Sequence, residues 1–289
     1  MKPIEECTVG IMGLGLMGGA FAIALRNRCG VTQNHLFACD MNREILAEAE
    51  QSGLIGRGWK GDEDLSGMLG VCDLIFLCLN PSTLIKFLER WSPFFKDGAL
   101  LTDIAGIKGN VVKAAEKLRE DIDLIPGHPM AGAEKGGFVN AGLCNFQDKN
   151  YILTTLKRNK PENLNFLKSL IYRIGFSRIT EVSAAEHDRK IAFTSQLCHI
   201  IAVALIDCEN DTDISCFGGG SFEDLTRIAM LNAPMWTELF IENREDLLAR
   251  LEQFEGSLDA LKALIRSADA TELEKRLTLV RERRTLMGR

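Results

Sequence analysis

No CxxC pair occurs in this 289-residue sequence, although it holds nine cysteines, at positions 7, 29, 39, 72, 78, 144, 198, 208 and 216. The count is odd and the spacing scattered, which argues against a disulfide framework and against a zinc site. Several lie in apolar runs, as Cys78 does in LIFLCL, and read as buried free thiols of a cytoplasmic protein. Long apolar runs are missing as well. IIAVALI, residues 200–206, falls far short of the roughly 20 residues a membrane-spanning helix needs. The N-terminal MKPIEEC has two acids and no apolar core, so no secretory signal is expected. Positive charge is not in excess. The net charge of −6 gives no general attraction to nucleic acid or anionic membranes. The acidic stretch DCENDTD, residues 207–213, lacks the central glycine of a calcium loop and has Gly218 where that loop ends in Glu.

What is present suits a globular protein of two domains. Hydrophobic residues make up 46% and charged residues 26%, enough for a real core. There is no internal repeat. Through residue 182 short apolar runs alternate with helical patterns: strands over 7–13, 36–40, 73–80, 99–103, 123–127, 151–156 and 176–182, with helices between them. The run 73–80 is continuously apolar, as in a strand covered on both faces. This alternation predicts an α/β domain with a mostly parallel sheet. From residue 183 to 289 the pattern is all helical. Residues 184–208 turn apolar on every face at 200–206 and are expected to be buried all round. Residues 235–267 read as one long amphipathic helix, with Asn232 as its cap and Pro234 in its first turn. DATE, residues 269–272, reads as a capping box for a last helix. Apolar faces of this extent in a small helical domain point to two copies packing together.

GLGLMG, with Gly13, Gly15 and Gly18, follows a predicted strand and opens a predicted helix. In that context the first glycine makes the tight turn, the second admits a pyrophosphate, and the third lets helix and strand pack closely. Leu16 and Met17 open the helix, whose unpaired N–H groups favour phosphate. Asp40 closes the second strand 22 residues after Gly18, where a carboxylate bonds the ribose 2′-hydroxyl of NAD and repels the 2′-phosphate of NADP. Arg43 is the counter-argument, as a partner for that phosphate.

Of the four histidines, His35 lies behind the phosphate end and reads as structural. His187 adjoins Asp188 at the start of the helical half and reads as a cap or bridge, and His199 lies on the most apolar helix. His128, in GHPMAGAEKGG (127–137), follows a strand of the sheet at its ligand-binding end and is the acid–base candidate. Its stretch reads as a rigid loop rather than helix or strand. GGGSFEDLTRIA, residues 218–229, is a second glycine-rich loop leading to Arg227, whose fork suits a carboxylate.

GLGLMGGA, TDIAGIKG (102–109), GHPMAGAEKGG and GGGSFEDLTRIAMLNAPMWTELFIEN (218–243), in that order, resemble the prephenate dehydrogenase family, which includes the arogenate dehydrogenases. The resemblance runs from about residue 8 to about residue 265. It implies a Rossmann-type N-terminal domain, an all-α C-terminal dimerisation domain and a site between them. It also implies NAD as cofactor and a homodimer. The implied reaction of tyrosine biosynthesis is oxidative decarboxylation of prephenate to 4-hydroxyphenylpyruvate. By the same resemblance His128 is the catalytic base, Arg227 binds the substrate carboxylate, and His199 lies near the substrate. Glu134 is an acid at the cleft, and Trp236 is an aromatic near the pocket.

The chain departs from the family in having Gly106 and Ala133 where hydroxyl side chains are common, and Gln196 and Cys198 where His and Pro are common. Arogenate as substrate, and an NAD-binding sensor without chemistry, stay open. Neither an ACT domain nor a fused chorismate mutase is expected, so tyrosine would compete at the active site.

Overall fold

A computed structural model describes residues 2–132 and 135–288. Six strands, β1 (Val9–Met12), β2 (Leu36–Asp40), β3 (Arg57–Lys60), β4 (Leu74–Leu77), β5 (Leu100–Asp103) and β6 (Asp123–Ile125), form one parallel sheet in the order β3-β2-β1-β4-β5-β6. β3, RGWK, escapes the sequence reading because it is short, half exposed and has no apolar run. β1, β4 and β5 are buried at every residue, as strands covered on both faces must be. The covering helices include α1 (Leu16–Cys29), α2 (Arg43–Gln51), the short α3 (Ser66–Leu69), α4 (Pro81–Trp91), α5 (Gly109–Ala115) and α6 (Pro161–Ile174). The strand order reverses between β1 and β4, so a crevice opens at their carboxyl ends, where such sheets bind ligands.

A second sheet of three strands, β7 (Gly127–Pro129), β8 (Asn150–Leu153) and β9 (Arg178–Glu181), adjoins the first. β7 runs antiparallel to β8 and pairs His128 with Ile152. The segment expected to be a rigid loop therefore begins as a strand. It is an edge strand, a place in a sheet where the missing N–H of Pro129 is tolerated.

The helical half begins with α7 (Ala184–Ile191), a π-turn at Ala192–Gln196 and α8 (Leu197–Asp207) as one continuous helix. By length and composition this helix could cross a membrane, which the count of uninterrupted apolar residues does not reveal. Its first two turns, however, carry Glu186, Asp188, Arg189 and Lys190. Burial on every face at 200–206 does not hold in the single chain: Val203, Leu205 and Ile206 are 36–41% exposed. Apolar side chains left open along a helix are what a second subunit would cover.

Then follow α9 (Gly220–Thr226), α10 (Ala233–Glu242), α11 (Arg244–Arg266) and α12 (Ala270–Leu286). Asn232 caps α10 through the Met235 N–H, and Asp269 caps α12 through the Glu272 N–H. The single helix expected over 235–267 is broken at Asn243. Its buried side chain donates to the carbonyl of Asp188 and to Oε1 of Gln196, and Gln196 donates to the carbonyl of Leu239. These bonds tie the break to the π-turn. A small cluster of Ile107, Met130, Ile152, Ile191, Leu239 and Trp236 joins the two halves.

Candidate active site

The glycine turn has the geometry its spacing demands. Gly13 has φ +91°, and a Cβ there would lie 2.3 Å from the carbonyl oxygen of Cys78, just past β4. A Cβ on Gly18 would lie 1.9 Å from the carbonyl of Gly13, so helix and turn meet backbone to backbone. A Cβ on Gly15 would meet nothing within 4 Å. That open face is where a pyrophosphate would approach, beside the first turn of α1 at Leu16 and Met17, whose N–H groups have no side-chain cap. Asp40 stands at the end of β2, accepting from the Leu14 N–H at 2.7 Å and the Asn42 N–H at 2.9 Å. Its carboxylate is thereby fixed against the turn. Arg43 is paired with Glu63. The residues present fit a dinucleotide.

His128 is set by what lies on either side of it. Asp103, at the end of β5, accepts the Gly127 N–H at 3.2 Å and the Ala105 N–H at 2.8 Å. It also takes the ammonium of Lys108 at 2.5 Å, both side chains being fully buried. A buried pair of this kind adds little net stability but fixes position, because neither charge can be left alone. Gly127 is pressed on the buried ring of Tyr151, where a Cβ would lie 2.5 Å from a ring carbon. The imidazole of His128 is half-buried, and its Nδ1 lies 2.9 Å from Nε2 of His187. Nδ1 of His187 lies 2.7 Å from Oδ1 of Asp188. Asp188 also accepts the Lys108 N–H at 2.9 Å and the Gly109 N–H at 2.8 Å.

Burial, then the neighbouring His187 and Lys108, holds His128 well below the usual imidazole range. His128 is thus neutral at neutral pH, as a base must be. Burial also lowers His187, against the opposing pull of Asp188.

His199 donates from Nδ1 to the carbonyl of Ser195 at 2.9 Å, and its ring lies 3.7 Å, centroid to centroid, from that of Trp236. His187 and His199 are twelve residues apart. At about 100° per residue a regular helix would set them about 120° apart; the π-turn absorbs about one residue and brings them toward one face. Arg227 opens a short 3-10 turn, Arg227–Ala229, that packs against α8. Glu134 and Ala133 lie outside the described residues. A Cβ at Gly106 would lie 3.3 Å from a methyl of Leu239, a tight contact.

The sequence marks His187, beside Asp188, as a cap or bridge and gives no sign of the Asp103–Lys108 pair. The adjacent His–Asp pair was the available signal. Nothing in the sequence says that residue 187 returns to residue 128.

A glycine turn at the switch point of a parallel sheet, with a neutral imidazole at the neighbouring strand ends, defines a nucleotide-binding oxidoreductase of two domains. Residues 21–180 match the family described as "Prephenate dehydrogenase, nucleotide-binding domain", and residues 183–279 match "Prephenate dehydrogenase, dimerization domain". The chain belongs to the prephenate dehydrogenase family. It is 27% identical to the prephenate dehydrogenase of Bacillus subtilis over 92% of this chain and 72% of that protein. Its fold is similar to that of prephenate dehydrogenase from A. aeolicus in complex with hydroxyphenyl propionate and NAD+. There the TM-score is 0.84 and the identity 29%, over 96% of this chain and 97% of that one. Synechocystis arogenate dehydrogenase is similar too, with a TM-score of 0.79 and 28% identity over 96% and 99% of the two chains.

Proposed function

We propose that this chain is an NAD-dependent prephenate dehydrogenase of tyrosine biosynthesis, acting as a cytoplasmic homodimer joined through the helical half. The carrying observation is the half-buried, neutral His128, with Nδ1 engaged and Nε2 left over, at the strand ends beside the glycine turn. The glycine turn and Asp40 would hold NAD, which would supply an acceptor for the hydride that leaves C4 of the substrate. His128 takes the proton of the 4-hydroxyl through Nε2, and loss of CO2 from the ring then makes it aromatic. Arg227 holds a carboxylate, and His199 with Trp236 forms a wall of the ring's site. Asp40 with Arg43 engaged by Glu63 supports NAD over NADP. The likeness to Synechocystis arogenate dehydrogenase supports arogenate as the second reading.

The test is the near-ultraviolet absorbance of reduced nicotinamide, with prephenate or arogenate and with NAD or NADP. Turnover of prephenate with NAD is expected. His128→Asn lowers kcat about 10²- to 10⁴-fold while NAD binding survives. Arg227→Ala raises KM. A protein that binds NAD and turns over neither dienol is a sensor, not this enzyme.

A further inference from the structure

We propose that His187 and Asp188 are positioning residues that fix the tautomer of His128 and so decide which of its nitrogens is the base. The inference deepens the function proposed above and rests on it for its kinetic arm. An ionised carboxylate can only accept, so the hydrogen between Asp188 and His187 sits on Nδ1 of His187, 2.7 Å from Oδ1. Neutral His187 then has a bare Nε2. The atom facing it, Nδ1 of His128 at 2.9 Å, must carry a hydrogen for the two to bond. Neutral His128 is left with a bare Nε2. The order is imposed from the carboxylate end and allows one arrangement.

Asp188 is itself held. It accepts two backbone N–H groups, from Lys108 and Gly109, and its carbonyl accepts from Asn243. His187 is fully buried. The imidazole pair therefore has no water to compete for Nε2 of His187. When His128 gains the substrate proton at Nε2, the new charge lies on a pair of rings whose far end faces a carboxylate. Among the described residues, the other charged groups acting on the pair are Lys108 and Asp103, which are ion-paired, and Glu242 acts on Asp188. Among the described residues, the side chain that bonds the ring of His128 is His187, so its orientation falls to that residue.

The experiment has two arms. In the full-length protein labelled with ¹⁵N-histidine, two-bond ¹H–¹⁵N spectra report the tautomer of each ring. His128 is expected with hydrogen on Nδ1 and Nε2 bare at neutral pH, and His187→Leu abolishes that bias. His128 with its hydrogen on Nε2 in the wild type overturns the proposal. In the kinetic arm, His187→Leu lowers kcat about 100-fold. KM values stay within about threefold, because the residue is fully buried and bonds to His128 and Asp188. The acid limb of the pH profile moves down, since leucine leaves the Nδ1–H of His128 without its acceptor and so disfavours the imidazolium. His187→Gln keeps an acceptor toward His128 and a donor toward Asp188, and recovers part of kcat. Unchanged kcat and pH profile in His187→Leu overturns the proposal. Wild-type protein inactive on both dienols defeats the functional reading alone, and the spectra still judge the tautomer. If His187→Leu does not fold, His187→Gln and the wild-type spectra carry the decision.

Discussion

The imidazole of His199 lies against the indole of Trp236, with ring centroids 3.7 Å apart and planes 31° apart. One ring comes from α8 and the other from α10, so the contact joins two helices. Nδ1 of His199 is taken by the carbonyl of Ser195, and Nε2 is the atom that the proposed function turns to the substrate. Trp236 fixes the ring's angle. Aromatic pairs contribute about 0.5–1.5 kcal/mol beyond their buried area, so Trp236→Leu should raise KM for the dienol about 3- to 10-fold. kcat and NAD binding should hold. An unchanged KM would return Trp236 to a packing role.

Gly127 admits no side chain. A Cβ there would lie 2.5 Å from a ring carbon of Tyr151 and 2.6 Å from its oxygen, and that ring is fully buried. Gly127→Ala should cost about 1–3 kcal/mol by overpacking, read as a lower urea midpoint. It should also lower kcat, because His128 is the next residue. Tyr151→Leu in the same chain should restore both, since it removes the ring. Failure to restore either would place the fault in the backbone instead.

Asp40 has two duties, toward the Leu14 N–H and toward the expected ribose. Asp40→Ala should weaken NAD about 10-fold or more, the scale of a lost hydrogen bond to a charged group. NADP should be less affected, because the like-charge repulsion is gone as well. Titration of the protein with both cofactors gives the ratio. A ratio that does not move would assign Asp40 to holding the turn alone.

The places of the glycine turn, Asp40 and His128 at the strand ends were legible in the sequence because each is tied to local order, a strand followed by a turn or cap. The contact behind His128 was not. His187 reaches it across 59 residues, and no periodicity carries such a distance. The break at Asn243 and the π-turn at Ala192–Gln196 were invisible for a related reason. Both depend on side-chain amides meeting between helices, while the apolar pattern runs on through them. The strand at Gly127–Pro129 was missed because its partner, β8, supplies the pairing that its own residues do not advertise.

The open apolar residues Val203, Leu205 and Ile206 on α8 should be covered in solution by a second copy. Light scattering at micromolar concentration should give twice the 32.0 kDa of one chain. Leu205→Asp with Ile206→Asp should shift that mass toward one chain, because neither charge would have a partner in an apolar interface. A wild-type monomer would remove the dimer and leave those side chains without an explanation.

Burial lowers His128, His187 and His199 alike. In the unfolded chain each takes up its proton near pH 6.5, while in the folded chain each stays neutral to a lower pH. Below that point the unfolded state holds more protons, so stability is full above about pH 6.5 and falls as pH falls toward the folded values. Glu242 works the other way. Its carboxyl is raised by burial and by Glu238, so it favours the folded state at the acid end. The raw slope therefore mixes opposing groups, and the difference between wild type and His187→Leu isolates the imidazole. Urea midpoints measured from about pH 7.5 down to about pH 5.5 should fall less steeply in the variant. An equal or steeper fall would mean that His187 charges as readily in the folded protein as in the unfolded chain.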